Sequence, residues 1–226
     1  MSIYSGPEIV NDGLVLHLDA ANPRSYPGTG TTWFDLSPAG NNGTLVSGTS
    51  FTSSNNGAFV FDGMDNGVEI TSPQVYGGSF TLIVWFNSID DSRGILFGNY
   101  DTDIDINFEK HDNRRLRFYW NTGQLDYSTP VSTIKTGVDI WNQAVFLRDT
   151  TNTKVKMYYN GSEVFTSDII GTNIGAASTA FMIGRDSRTG ATVLNGHISF
   201  LALYNRALSE EEIKQNFEAL RGRYGI

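Results

Sequence analysis

The sequence predicts an all-β fold, an antiparallel β-sandwich of the jelly-roll kind closed by one short C-terminal α-helix. Three observations predict it. Short runs of alternating apolar and polar residues recur along the 226 positions, the pattern of strands with one buried face. Turn-forming pairs separate them: Asp12-Gly13, Asn66-Gly67, Asn160-Gly161 and Asn195-Gly196. Both residues of such a pair tolerate positive φ, which favours tight hairpins. Only the last stretch changes its period from two to 3.6.

The strand candidates are, in chain order, "GLVLHLD" (13–19), "GAFVFDG" (57–63), "SFTLIVWFN" (79–87), "RLRFYWN" (115–121), "WNQAVFLRD" (141–149), "KVKMYYNG" (154–161), "FMIGRD" (181–186) and "HISFLALYN" (197–205). Many short strands with regular turns build a sandwich or jelly roll. The helix follows in "ALSEEEIKQNFEALR". Ser209 and Glu212 have the spacing of a capping box, and Leu208 and Ile213 that of a hydrophobic staple. Ile213, Phe217 and Leu220 then recur at helical spacing. No Pro-rich linker, charge block or composition shift interrupts residues 13–226, which read as one domain. Residues 1–12 precede it and carry Ile3, Tyr4, Ile9 and Val10. They read either as an extra edge strand or as an attachment segment that adds a strand to another protein.

Composition narrows the function classes. The chain is 39% hydrophobic and 18% charged, enough apolar material for a core and unlike a disordered chain. A net charge of −8 argues against nucleic-acid binding, which needs a cationic surface. Arg114, Arg115 and Arg117 are too few to reverse this and fit an exposed hairpin. Without cysteine there are no disulfides or thiolate metal sites. No secretory signal precedes the first strand, and no apolar run of about 18 residues exists to span a membrane. Two glycosylation-type triplets, Asn42 with Thr44 and Asn160 with Ser162, read as turns.

Several segments together resemble a known family. "GLVLHLDAANPRSY", "WFDLSPAGNNGTL", "FVFDGMDNGVEI", "SFTLIVWFN", "WNQAVFLRD" with "KVKMYYNG", and "GHISFLALYNRALSEEEI" match, in order, the laminin-G-like branch of the concanavalin A-like lectin/glucanase superfamily. "LYNRALSEEEI" is the most specific piece. The resemblance implies two packed antiparallel sheets. The opening "GLVLHLDAANPRSYPGTGTTWFDLS" also resembles small structural proteins of tailed bacteriophages.

"DTDIDINF" (101–108) raises the question of catalysis, because its acidic and amide residues would share one strand face. Some enzymes of the superfamily carry two glutamates on such a strand, as nucleophile and acid/base. The matching positions here read Asp103, Asp105 and Asn107, and an amide cannot transfer a proton. Retaining glycosidases need two carboxyls about 5–5.5 Å apart. Glu109, two residues beyond Asn107, leaves an Asp105/Glu109 pair without other support. The segment reads as a solvated strand face, with Asp103 and Asp105 as candidate ligand contacts and no catalytic residue.

The resemblance also implies a Ca²⁺ held by carboxylates and carbonyls on the rim in many relatives. Their acidic pair before the Tyr-Asn-Arg corner is replaced here by Ser199 and Phe200. Asp19, Asp62 and Asp65 are the remaining candidate calcium ligands, and no other cofactor is expected. His17, His111 and His197 lack metal spacing and read as surface or rim histidines. Sugars stack on aromatic rings. Trp85, Trp120 and Trp141 lie in strands and read as core, whereas Tyr26, Trp33 and Tyr100 fall in loops and are the candidate sugar platforms.

The expected function is a non-catalytic structural or adhesion protein of a phage particle, made in the host cytoplasm without a signal peptide and carried on the virion surface. Its expected partners are other virion proteins and host-surface glycans. A free carbohydrate-binding lectin-like module is the alternative, and a glycoside hydrolase ranks third.

Overall fold

The computed structural model describes residues 7–54, 57–70, 78–99, 106–120, 125–169, 180–186 and 192–226. Within them, two eight-stranded antiparallel sheets pack face to face. In the first, β14 (Ser162–Asp168), β13 (Lys154–Tyr159), β12 (Trp141–Asp149), β7 (Phe80–Ser88), β16 (Asn195–Tyr204), β5 (Ala58–Asp62) and β4 (Ser50–Thr52) lie side by side, and β1 (Leu14–Asp19) pairs with β16. In the second the order is β11 (Leu125–Ser128), β10 (Arg115–Trp120), β9 (Ile106–His111), β8 (Gly94–Asn99), β15 (Phe181–Ile183), β6 (Gly67–Ile70), β3 (Gly43–Val46) and β2 (Thr32–Trp33). The expected sandwich is present.

Two apolar layers hold it. Leu82, Val84 and Phe86 of β7 face the second sheet in the central core, with Phe108, Phe118 and Phe146 around them. Ile83 and Trp85 of the same strand point the other way, into a layer beneath α1 (Glu210–Tyr224). A strand covered on both faces has no need of polar alternation, which is why "SFTLIVWFN" reads as a continuous apolar run. Trp85 stacks on Tyr224 at 4.3 Å and on Phe217 at 5.7 Å between ring centroids.

The expected capping box is formed. The Glu212 backbone N–H donates to Ser209 Oγ at 3.3 Å, and Glu212 Oε2 accepts from the Ser209 N–H at 2.8 Å. Leu208 and Ile213 join the same buried layer, as a staple requires. Arg206 grips Glu212 through both guanidinium nitrogens at 2.6 and 2.8 Å, and this bond holds the Glu212 carboxyl below its ordinary range. At the far end Arg223 reaches back to the end of β1, placing two parallel bonds of 2.7 and 3.0 Å on Asp19.

The turn expectations divide. Asn160 (φ 47°) and Gly161 (φ 77°) both take the left-handed conformation and join β13 to β14 as a tight hairpin. Asn66-Gly67 is no hairpin turn, because β5 and β6 lie in different sheets and the link crosses the sandwich. Asn195-Gly196 lies within β16. Residues 7–12 form no strand, so the edge-strand reading fails for them. They lie instead against α1: the Val10 N–H donates to Asn216 Oδ1 at 2.9 Å, and the Tyr204 hydroxyl donates to the Val10 carbonyl. Residues 1–6 fall outside the described set.

Lys110 is an unusual tenant of the interior. Its ammonium donates to the Asp90 carbonyl at 2.8 Å and also to the Ser92 carbonyl, bracing the β7–β8 connection. Burial pulls its pKa down to about 8, against the pull of nearby Asp90. An unfolded lysine titrates near about 10.4. Between these values the unfolded chain holds the proton more tightly, so this group makes stability rise with pH. Below about pH 8 both states are charged and its contribution is constant. Lys110→Met should therefore abolish part of the rise. Urea unfolding of both proteins at about pH 7.5 and 9.5 measures it, and an unchanged stability difference would refute the assignment.

Candidate functional site

The face of the second sheet turned away from the core carries the polar residues that the sequence singled out. Pairing in register across it are Tyr119, Asn107, Gly98, Met182, Glu69 and Thr44. Gly98 is required in that row: a Cβ there would lie 2.6 Å from the Ile106 carbonyl and collide with the Asn107 amide. Its absence lets Asn107 lie down on the sheet, where only 2% of it is exposed.

Next to this row sits Glu109, fully buried although it faces outward. Its Oε2 accepts from Arg93 Nε at 2.8 Å and lies 2.6 Å from Arg93 Nη2, while Oε1 accepts from Arg117 Nη1 at 3.0 Å. His111 Nε2 approaches Oε1 at 3.9 Å, and Arg115 touches the other ring nitrogen at 3.3 Å. Burial lowers the His111 pKa, opposed by Glu109. Arg117 also lies over the half-buried Tyr119 ring at 4.9 Å, a cation–π arrangement. The solvated face expected here is buried at Asn107, and at Glu109 it is buried and charge-paired. Glu109 is fully buried beneath these contacts, whereas a catalytic carboxylate must come within hydrogen-bond reach of the substrate.

The remaining candidates separate as follows. Tyr100, Asp103 and Asp105 lie outside the described residues. Tyr26 and Trp33 are corrected from exposed loop aromatics to core residues, with 6% and no exposure. Their rings pack on Phe59 at 4.8 and 4.6 Å, Tyr26 from the β1–β2 connection and Trp33 from β2 itself. Asp19 is occupied by Arg223, so it faces a cation already. Asp62 accepts the Met64 N–H in a tight turn, and the Asp65 carbonyl accepts from Arg185. Among the described residues no group of three or more His, Asp or Glu side chains could hold a metal ion. Trp85 and Trp141 are core, as expected. His17 and His197 are half-buried, and burial lowers both pKa values.

Arg93 has no place in the sequence reading, and Arg117, expected on an exposed hairpin, is instead largely covered and paired with Glu109. One signal existed: Arg117 and Glu109 lie at mirror positions about the "DNR" turn, and cross-strand opposite charges at such positions pair. No comparable local signal marks Arg93, which arrives from the loop before β8.

A family model described as the concanavalin A-like lectin/glucanases superfamily, laminin G type, matches residues 61–214. The chain belongs to this family. Among curated proteins no sequence matches it. Among solved structures, domain 4 of AbnA, a GH43 extracellular arabinanase from Geobacillus stearothermophilus in complex with arabinotriose, is similar at TM-score 0.70 and 18% identity. That match covers 92% of this chain and 100% of the domain. The botulinum neurotoxin serotype D binding domain is similar at TM-score 0.70 and 12% identity, over 92% of this chain and 51% of that one. Trypanosoma rangeli sialidase is similar at TM-score 0.68 and 16% identity, over 96% of this chain and 35% of the sialidase. The chain thus spans the whole of the first, about half of the second and about a third of the last. At these identities the likeness is one of fold. Among the described residues no helix is long and apolar enough to cross a membrane.

Proposed function

We propose that this laminin-G-like domain is a non-catalytic glycan-binding module that uses the outward face of its second sheet. The observation that carries the reading is the organised polar floor of that face. Buried Glu109 holds Arg93 and Arg117 in place, their side chains 33% and 16% exposed, and Arg117 lies over the half-buried Tyr119 ring. Fixed guanidinium groups next to an aromatic ring suit the hydroxyls and apolar face of a sugar. Support of a coarser kind comes from the relatives, which include an arabinanase domain in complex with arabinotriose and toxin binding domains.

The non-catalytic part rests on Asn107 and on the clamped Glu109. The intact chain should release no reducing sugar from laminarin, agarose or arabinan, and release that disappears on Asp105→Ala would overturn it. A glycan array should retain a defined subset of glycans. Tyr119→Ala should weaken the retained ligand roughly tenfold, or about 1.4 kcal/mol. Undiminished binding by that variant would remove the site from this face.

The finer assignment, a virion-surface adhesion protein of a tailed phage contacting host glycans, is supported by the resemblance of residues 13–37 to small phage structural proteins. Mass spectrometry of purified particles tests it: peptides of this chain in the particle support it, and their absence refutes it.

A further inference from the structure

The outer side of the first sheet holds a groove that the reading above does not use. It lies between strands β12–β14 and the start of α1, with a volume of about 490 Å³, inside the ~300–1,000 Å³ span of ligand pockets. Its floor is apolar, made by Leu147, Tyr158 and Leu208. Its walls alternate in charge: Lys154 and Lys156 on β13, against Asp149, Glu163 and Glu210. The Asn160-Gly161 hairpin brings β13 and β14 together, so that Lys156 Nζ lies 2.7 Å from Glu163 Oε2. The Tyr158 hydroxyl donates to the same oxygen at 3.3 Å.

We propose that this groove is a second saccharide site, taking a neutral oligosaccharide on the side of the sandwich opposite the first. Charge decides the ligand class. Three wall carboxylates stand against two ammonium groups, so the groove offers an anionic ligand no excess of positive charge. The two lysines are each held by a carboxylate, Lys154 by Asp168 and Lys156 by Glu163, which leaves no concentrated charge of either sign. A divalent cation would have to displace the lysine from Glu163, and Asp149 already caps the N–H groups of Thr151 and Asn152. A wholly apolar ligand would strand the ion pairs away from water. A neutral sugar matches both parts: its hydroxyls exchange bonds with charged donors and acceptors, and its C–H face covers Leu147 and Leu208. The walls stand on strands and a capped helix, so the site is preformed and binding orders little chain.

Calorimetric titration of the intact chain with short neutral oligosaccharides of the xylan, cellulose and arabinan types, beside hexuronic-acid oligomers, tests the proposal. Thr166→Trp fills the groove from the exposed face of β14. It should abolish binding of a neutral oligosaccharide that Tyr119→Ala leaves intact. Lys156→Ala opens the groove instead, and should weaken the same binding about tenfold. If neutral binding survives both groove variants and is lost in Tyr119→Ala, the groove is not a site while the outer-face reading stands. If Tyr119→Ala changes nothing and the groove variants abolish all binding, the groove stands and the outer-face reading falls. Binding of uronic-acid oligomers alone, or of no oligosaccharide, overturns the groove proposal.

Discussion

Arg223→Ala is expected to lower the stability of the chain by about 2–3 kcal/mol, the cost of removing charge-assisted hydrogen bonds from a largely buried carboxylate whose partner is 25% exposed. The Asp19 carboxylate is 7% exposed, and Arg223 gives it two parallel hydrogen bonds. Paired charges in a fork geometry offset the loss of hydration. Truncating the arginine leaves the carboxylate desolvated and without its counter-charge. The pair also joins the end of β1 to the last turn of α1, so its loss loosens the clamp on Tyr224, which packs on Trp85 and Trp141. Chemical denaturation of the single variants and of Asp19→Asn with Arg223→Ala gives the coupling energy. A double variant no less damaged than the sum of the singles would show that the two residues act independently.

Gly184→Ala is expected to cost about 2–5 kcal/mol, from two additive sources. Gly184 has φ of 82°, a conformation in which an L side chain is strained. A Cβ there would also enter the ring of Phe61, with Cζ at 2.8 Å and two ring atoms closer still. Phe61 belongs to β5 of the first sheet, while Gly184 follows β15 of the second. The glycine is therefore where the two sheets approach too closely for any side chain. A thermal melt reads the effect, and Gly184→Ala with Phe61→Leu should recover part of it by shortening the ring. A single variant that melts like the parent would refute the close approach.

The sequence by itself determined the strand-rich class and the C-terminal helix of this protein. "GLVLHLD", "WNQAVFLRD" and "HISFLALYN" announced strands as short apolar runs between turn signals, and the last two are buried along almost their whole length. Ser209 and Glu212 announced the helix start because capping is local, spanning three residues. Asn160-Gly161 announced its hairpin for the same reason. The short strands β2, β3 and β4 carry too few residues to show any period, and β8 breaks its pattern at a bulge between Ile95 and Phe97.

The candidate site was legible only in part. Asn107 was visible as an amide where relatives place an acid, since that is a property of one position. That Glu109 is clamped was not, because Arg93 lies 16 residues away and reaches it only once β8 and β9 pair. Tyr26 and Trp33 look like loop residues in sequence, yet Trp33 lies in the two-residue strand β2 and both rings pack on Phe59. Local hydrogen bonding and period are written into neighbouring residues. Which loop covers a sheet end, and which charges meet, depends on distances closed by the whole sandwich, and only the tertiary structure decided them.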